Sequence, residues 1–326
     1  MPKKKKRVLF VNQRMALLIN PMSAQGKWLR NPKLRQYIHR KFPGRIYDQA
    51  KDKAELTELA GKLSLENDAL IVMGGDGTLA DVMQGIFKSG RQNDVTLGLL
   101  PLGSGNAIRR ALQIPKQMKK AVKIVKTGEP RPIDVIDAGG QIASLVSIGA
   151  TAKATHKKSQ SKIPGLLGHL LASRILFMHP RQEMEVELFD GRDDKGRPFD
   201  HKIFKLKLYD CIVNKTTQFG YNWIIAPKAR IDDGYLDVTF FDIRAYSYIL
   251  YFPLIYSGYY QKILKHFKVK KIRVRGKDLS IQYNGEIMPT RDEIELTVLP
   301  KALRVIGPRR HVKSRRKKLT FRRKRP

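Results

Sequence analysis

At 326 residues, 42% of them hydrophobic and 29% charged, the chain has the balance of a globular protein and suits two domains sharing one cleft. A single cysteine, Cys211, excludes an internal disulfide and a Cys-based metal site. No apolar stretch reaches the ~18 residues that cross a bilayer, and the basic start lacks the long apolar segment of a signal peptide. The charge is unusual: 64 Lys and Arg face 29 Asp and Glu, a formal +35, so a polyanionic partner is expected, whether anionic lipid, nucleic acid or nucleotide phosphate.

Residues 1–14 form a basic N-terminal segment, with five cations in Lys3–Arg7. Met15 to Ile19 is a short apolar run stopped by Asn20-Pro21, which predicts a buried parallel strand and then a loop. A basic helix-compatible stretch to about Arg40, a short strand at Arg45–Tyr47 and a helix over Lys53–Leu63 follow. Asp68–Met73 reads as a second buried strand ending at Gly74-Gly75, with a helix over Thr78–Phe87. Val95–Leu100 is a third strand, ending at Pro101, and Asn106–Leu112 is helical again. Strands alternating with helices predict an open α/β sheet over 15–134, with ligands beyond the carboxyl ends of its strands.

The texture changes after Asp134. Alternating segments at Gln182–Leu188, Lys202–Val213, Leu236–Phe241, Lys271–Val274 and Ile294–Leu299 predict half-buried antiparallel strands. The 135–308 region is therefore expected to be a β-rich domain, whose final segment could pack back on the first. Helical stretches near Leu166–Phe177 and Tyr246–Tyr260 interrupt it. Cys211 is expected inside a buried strand. Residues 309–326 carry eleven cations without an acidic residue and are expected to be a disordered basic tail; setting these and the first five aside still leaves +19 on the body.

Two strand-to-helix loops carry the chemistry. In Gly74-Gly75-Asp76-Gly77-Thr78, three glycines let backbone approach a ligand and permit positive φ, and the following helix aims its free N–H groups at the loop, a phosphate site. Thr78 can cap that helix or bind phosphate. Asp76 beside phosphates calls for a cation or a sugar hydroxyl. The second loop, Pro101-Leu102-Gly103-Ser104-Gly105-Asn106, would face the first across one crevice. The chain has no GxxxxGK[ST] P-loop and no protein-kinase glycine loop or HRD motif.

With these residues in view, the chain resembles the diacylglycerol kinase catalytic family, in its bacterial soluble lipid-kinase branch, from about Met15 to Pro308. The resemblance rests on an ordered set: Asn20-Pro21-Met22-Ser23, GGDGT with Leu79–Gly85, PLGSGN with Ala107–Pro115, Ile133-Asp134, PKARIDDGYLDV at 227–238, Asn284-Gly285-Glu286 and Leu299–Arg304. GGDGT alone is shared with NAD kinases. The family implies an open α/β domain of the NAD-kinase and diacylglycerol-kinase type, then a β-rich sandwich, with the nucleotide cleft between them. It implies ATP bound by Asn20, Ser23, the loop Gly74, Gly75, Asp76, Gly77, Thr78, Leu79 and Ala80, the turn Gly103, Ser104, Gly105 and Asn106, and a contact near Asp48. Asp76 would orient the phosphates and the catalytic Mg2+, and Glu286 would accept the proton of the attacking lipid hydroxyl. A structural Mg2+ would lie on Asp233 and the carbonyls of Arg230 and Tyr235.

Three departures stand out: Asn284 where the family usually has Asp, Ala107 where it has Asp, and Ala24 where it has Gly. The resemblance implies a cytoplasmic enzyme, peripherally membrane-associated, transferring phosphate from ATP to diacylglycerol or a related lipid alcohol. Competing readings are a pseudokinase that binds anionic membrane or nucleic acid, and an NAD-kinase-like enzyme. Nucleic acid is expected only as a nonspecific partner, and a homodimer is compatible with the sequence. The tyrosines between Arg244 and Lys265 suit a membrane interface or an ordinary amphipathic helix.

Overall fold

The computed structural model describes residues 14–102, 107–160, 180–219, 223–244, 247, 250–259 and 264–309. The turn 103–106, the helical stretch expected at 166–177 and both basic ends lie outside them, as do 246, 248, 249 and 260 of the stretch expected at 246–260.

In the first half, β1 (Met15–Ile19), β3 (Ala69–Gly74) and β4 (Thr96–Pro101) are continuous apolar runs, and they pair in parallel with β2 (Ile46–Tyr47) in the order β2-β1-β3-β4. Runs of this kind suit strands covered on both faces. The helices are α1 (Ser23–Arg30), α2 (Pro32–Lys41), α3 (Lys53–Glu66), α4 (Asp76–Lys88), α5 (Ala107–Ala111) and α6 (Met118–Thr127). Two begin at side-chain caps: Asn31 Oδ1 accepts the Leu34 N–H, and Asp52 Oδ1 accepts the Glu55 N–H. α3 and α4 cross where glycines face each other. A Cβ on Gly85 would stand 2.2 Å from the Thr57 carbonyl oxygen, so only glycine permits this approach, which holds the start of α3 over the loop before α4.

In the second half, β5 (Glu129–Asp137), β6 (Ile142–Ala143), β7 (Leu145–Gly149), β8 (Gln182–Arg192), β9 (Pro198–Leu208), β10 (Asp210–Asn214) and the small hairpin β11 (Gln218–Phe219) and β12 (Trp223–Ile224) precede β13 (Leu236–Phe241). β14 (Lys265–Leu279), β15 (Ile281–Tyr283), β16 (Glu286–Ile287) and β17 (Arg291–Gly307) complete it, with helices α7 (Ala150–Gln160) and α8 (Phe252–Tyr256). The spatial order is β16-β15-β7-β10-β13-β14-β17, with β8 and β9 folded onto β14. The strand read as Lys202–Val213 divides at Tyr209 into β9 and β10. Cys211 is buried in β10, as expected. Phe204, Phe240 and Phe267 meet at centroid distances of 5.3–5.7 Å in the second core, which lies apart from the core of the α/β half.

The chain thus has the expected α/β half followed by a β-rich sandwich, and one strand welds the two. β17 runs antiparallel to β14 and β5, shifts register between Leu299 and Leu303, and then pairs in parallel with β4 through Arg304 and Val305. Its Ile294, Leu296 and Val298 enter the second core, while Leu303, Val305 and Ile306 enter the first.

Candidate active site

A cleft of 380 Å³ opens beyond the carboxyl ends of β1 and β3. It is lined by Asn20, Ser23 and Ala24, by Gly75, Gly77, Thr78 and Asp81 of the glycine loop and α4, by Lys51, Asp52 and Lys53 at the start of α3, and by Glu286 from the second half. The backbone of the loop is not in the left-handed region that three glycines would permit; Gly74, Gly75 and Gly77 are absent from the positive-φ residues. Their reason is space. A Cβ on Gly74 would stand 2.4 Å from the Thr78 Cβ, whereas at Gly75 and Gly77 it would point into open cleft. Thr78 Oγ1 accepts from Asn20 Nδ2 at 3.2 Å and lies 3.1 Å from Ser23 Oγ, which ties the first strand end to the loop. α4 starts here without a side-chain cap, so its first N–H groups are available to an anion.

Between Ser23 and Trp28 the helix is interrupted. Ala24, Gln25 and Gly26 have φ of 53°, 58° and 76°, so Ala24 holds a left-handed conformation that glycine adopts without strain. The other sequence-derived positions divide. Asp76 does not line the cleft with Glu286; its Oδ1 accepts the Ala107 N–H at 2.7 Å, beside Arg109 in an adjoining hollow. Leu102 donates its N–H to the Gly74 carbonyl, so both flanks of the 103–106 turn are tied to the first glycine loop; Gly103, Ser104, Gly105 and Asn106 themselves lie outside the described residues. The side chains of Leu79 and Ala80 are buried in the core, which leaves them backbone contacts only. Asp48 is outside the cleft lining. Its carboxylate accepts the Trp28 indole N–H at 2.8 Å, apart from the cleft lining near which a nucleotide contact was expected.

Two cleft residues escaped the sequence reading. Lys53 Nζ lies 3.3 Å from Glu286 and 3.8 Å from Asp81, with the Tyr283 ring beside it. Burial works to lower the Lys53 pKa, but Glu286, Tyr283 and Asp81 outweigh it and hold the ammonium above its usual range. Asp81 is pushed up to about 6 by burial; Lys53 holds it down and Glu286 adds to the rise. A carboxylate in an otherwise apolar helix stretch was the available signal for Asp81. Lys53 gave none, because a lysine at a helix start reads as solvated.

Glu286 is delivered by a tight turn. Asn284 has φ of 49°; its Oδ1 accepts from Ser144 N and Oγ at 2.9 and 3.1 Å, and its Nδ2 donates to the Ile142 carbonyl at 3.1 Å. Asp could not make that last donation. The amide therefore positions the turn, which is a reason for Asn at this place in this chain.

At the expected structural metal site the carboxylate is met by lysines of the chain. Asp233 Oδ1 lies 3.0 Å from Lys215 Nζ and Oδ2 lies 2.7 Å from Lys268 Nζ. The Tyr235 carbonyl also accepts from Lys215, and the Arg230 side chain turns to Asp232. Burial alone would raise the Asp233 pKa, but Lys268 and Lys215 hold it below the usual carboxylate range. Two ammonium groups already meet the Asp233 carboxylate and the Tyr235 carbonyl, two of the three oxygens expected for a divalent ion, so these two do not fit one. Among the described residues no group of three or more His, Cys, Asp or Glu could hold a metal by itself.

Comparison with known proteins agrees with this architecture. Residues 14–138 match the Diacylglycerol kinase catalytic domain and residues 145–307 match the YegS C-terminal NAD kinase beta sandwich-like domain. The chain is 30% identical over 178 residues to a diacylglycerol kinase of Bacillus subtilis (strain 168), covering 53% of this chain and 54% of that one. It is 24% identical over 265 residues to one of Mycobacterium tuberculosis (strain ATCC 25618 / H37Rv), covering 77% and 80%. The chain spans about half the length of the Bacillus relative. A crystal structure of a diacylglycerol kinase from Bacillus anthracis str. Sterne superposes with a TM-score of 0.66 at 20% identity, covering 90% of this chain and 96% of that one, and shares the fold. With a catalytic domain of this type followed by its β-sandwich partner, the chain belongs to the family of bacterial soluble diacylglycerol-kinase-like lipid kinases.

Proposed function

We propose that this family member transfers the γ-phosphate of ATP to the hydroxyl of diacylglycerol or a related lipid alcohol. One observation carries the reading: Glu286 of the second half and the uncapped start of α4 in the first line a single cleft. Backbone N–H groups at the helix start suit phosphate oxygens, and the open space at Gly75 and Gly77 lets them approach. Lys53 is placed to offset charge on the phosphoryl group, and Glu286 to take the hydroxyl proton. Magnesium that travels with ATP needs only one or two protein carboxylates, which Asp76 and Asp81 would supply; when bound, it neutralises phosphate charge.

Peripheral binding to an anionic membrane on the cytoplasmic side belongs to the same proposal. Among the described residues no helix is long and apolar enough to cross a membrane. Leu250, Leu254 and Tyr259 are 70%, 44% and 65% exposed along one short segment of a chain of charge +35, which suits lipid contact.

Labelled ATP should be offered with diacylglycerol, sphingosine, phosphatidylglycerol or NAD in mixed micelles containing magnesium. Label is expected on a lipid and not on NAD. Glu286→Ala and Asp76→Ala should each lower transfer by about 10²-fold or more. Full activity in either variant would overturn the assignment.

A further inference from the structure

Lys215 is an anomaly of burial. It follows the fully buried strand β10, and its side chain is 0% exposed. An ammonium has three donors and no acceptor. Those of Lys215 meet three oxygens: Asp134 Oδ2 at 3.0 Å, Asp233 Oδ1 at 3.0 Å and the Tyr235 carbonyl. The remaining capacity of Asp134, also 0% exposed, is taken by backbone. Its Oδ2 accepts the Gly234 N–H at 2.7 Å and its Oδ1 the Lys301 N–H at 2.9 Å. Lys268 supplies a second positive charge, 2.7 Å from Asp233 and 3.2 Å from Asp237; His266 Nε2 faces Asp237 at 3.1 Å. The carboxylates are thus matched by cations that belong to the chain.

We infer that Lys215 is a built-in cation standing in for a divalent ion at the Asp232-Asp233-Gly234 turn, so that this junction holds together without bound metal. The chemistry fits an ammonium: its three donors meet three oxygens, and the two carboxylate oxygens stand at the hydrogen-bond distance of 3.0 Å. The grip reaches four segments, namely the end of β10, the 232–234 turn, β5 through Asp134 and β17 through Lys301. It also leads to the catalytic turn. The backbone N–H of Lys215 donates to the Ser144 carbonyl at 2.9 Å, and Ser144 donates through N–H and hydroxyl to Asn284, two residues from Glu286.

The test needs neither nucleotide nor lipid, so its outcome is independent of the proposed activity. The full chain is melted in EDTA and in millimolar Mg2+ or Ca2+, and Mn2+ binding is followed by electron paramagnetic resonance. The wild-type melting midpoint should be the same with and without metal. Lys215→Ala should melt lower in EDTA, regain part of the loss in Mg2+ or Ca2+, and bind one Mn2+ at least about tenfold more tightly than wild type. Asp233→Asn added to that variant should remove the gain. A wild type that is stabilised by metal, or a Lys215→Ala chain as stable as wild type in EDTA, would overturn the inference. If Lys215→Ala does not fold, the wild-type Mn2+ titration decides. Uptake abolished by Asp233→Asn overturns the inference, and no such uptake sustains it.

Discussion

The two lysine clusters hold the same chemistry in opposite surroundings. In the cleft, Lys53 reaches Asp81 and Glu286 at 3.8 and 3.3 Å, and Lys53 and Glu286 are each 45% exposed. At the junction, Lys215 reaches Asp134 and Asp233 at 3.0 Å, with its own side chain and that of Asp134 0% exposed. An exposed ion pair contributes at most about 1 kcal/mol and can be exchanged for another partner, as a phosphate-binding cleft requires. A buried one cannot lose a member cheaply, because the remaining charge has no water to turn to. One cluster can respond to ligand; the other fixes the frame.

Removing one partner at each place is the sharpest way to break the comparison. Asp134→Ala should cost about 3–5 kcal/mol in denaturant unfolding, with two backbone N–H groups left without their acceptor and Lys215 left with one carboxylate instead of two. Lys53→Met should change stability by less than about 1 kcal/mol while lowering turnover; an equal loss of stability would erase the distinction.

A carboxylate buried without a cation should behave in the opposite way. Asp210, 1% exposed, faces the Thr151 N–H and hydroxyl, and burial pushes it up to about 7, against those hydrogen bonds. Its folded pKa lies above the unfolded value, so the folded state holds the proton more tightly. Stability should fall as pH rises from about 4 to 7 and level off above. Asp210→Asn should flatten that slope and stabilise the protein at pH 8 by roughly 2–4 kcal/mol, read as the pH dependence of the melting midpoint.

Two smaller effects sharpen the picture of the cleft. Asn284→Asp should cost about 1–3 kcal/mol, because it loses the donor to Ile142 and sets a carboxylate oxygen against that carbonyl. The same variant in the kinase assay tells whether a second carboxylate compensates. Ala24→Gly relieves a left-handed alanine and should stabilise by about 1 kcal/mol, measured by thermal unfolding.

Most of the first half was legible because β3 and β4 are unbroken apolar runs ending at Gly74 and Pro101. β5 and the far end of β17 were not. Pro130 and Pro132 sit in β5 and Pro300 sits at the register shift of β17, and each reads as a breaker unless its partner strand is known. In the site, Thr78, Asn20 and Glu286 could be named because their spacing is local or carried by a motif. Asp134, Lys215 and Lys301 lie far apart along the chain, and only the folded sheet brings them together. The DDG sequence promised a cation, and composition could not say that lysine would provide it.

The crossing of β17 from one half to the other bears on how the molecule is made. β4 pairs with β3 early, but it acquires its second parallel neighbour only when Arg304 and Val305 arrive, more than two hundred residues after Thr96 and Leu97. During synthesis the N-terminal sheet therefore waits with an open flank until this distant strand has left the ribosome, and a chain cut short before it keeps that flank exposed to its neighbours in the cell.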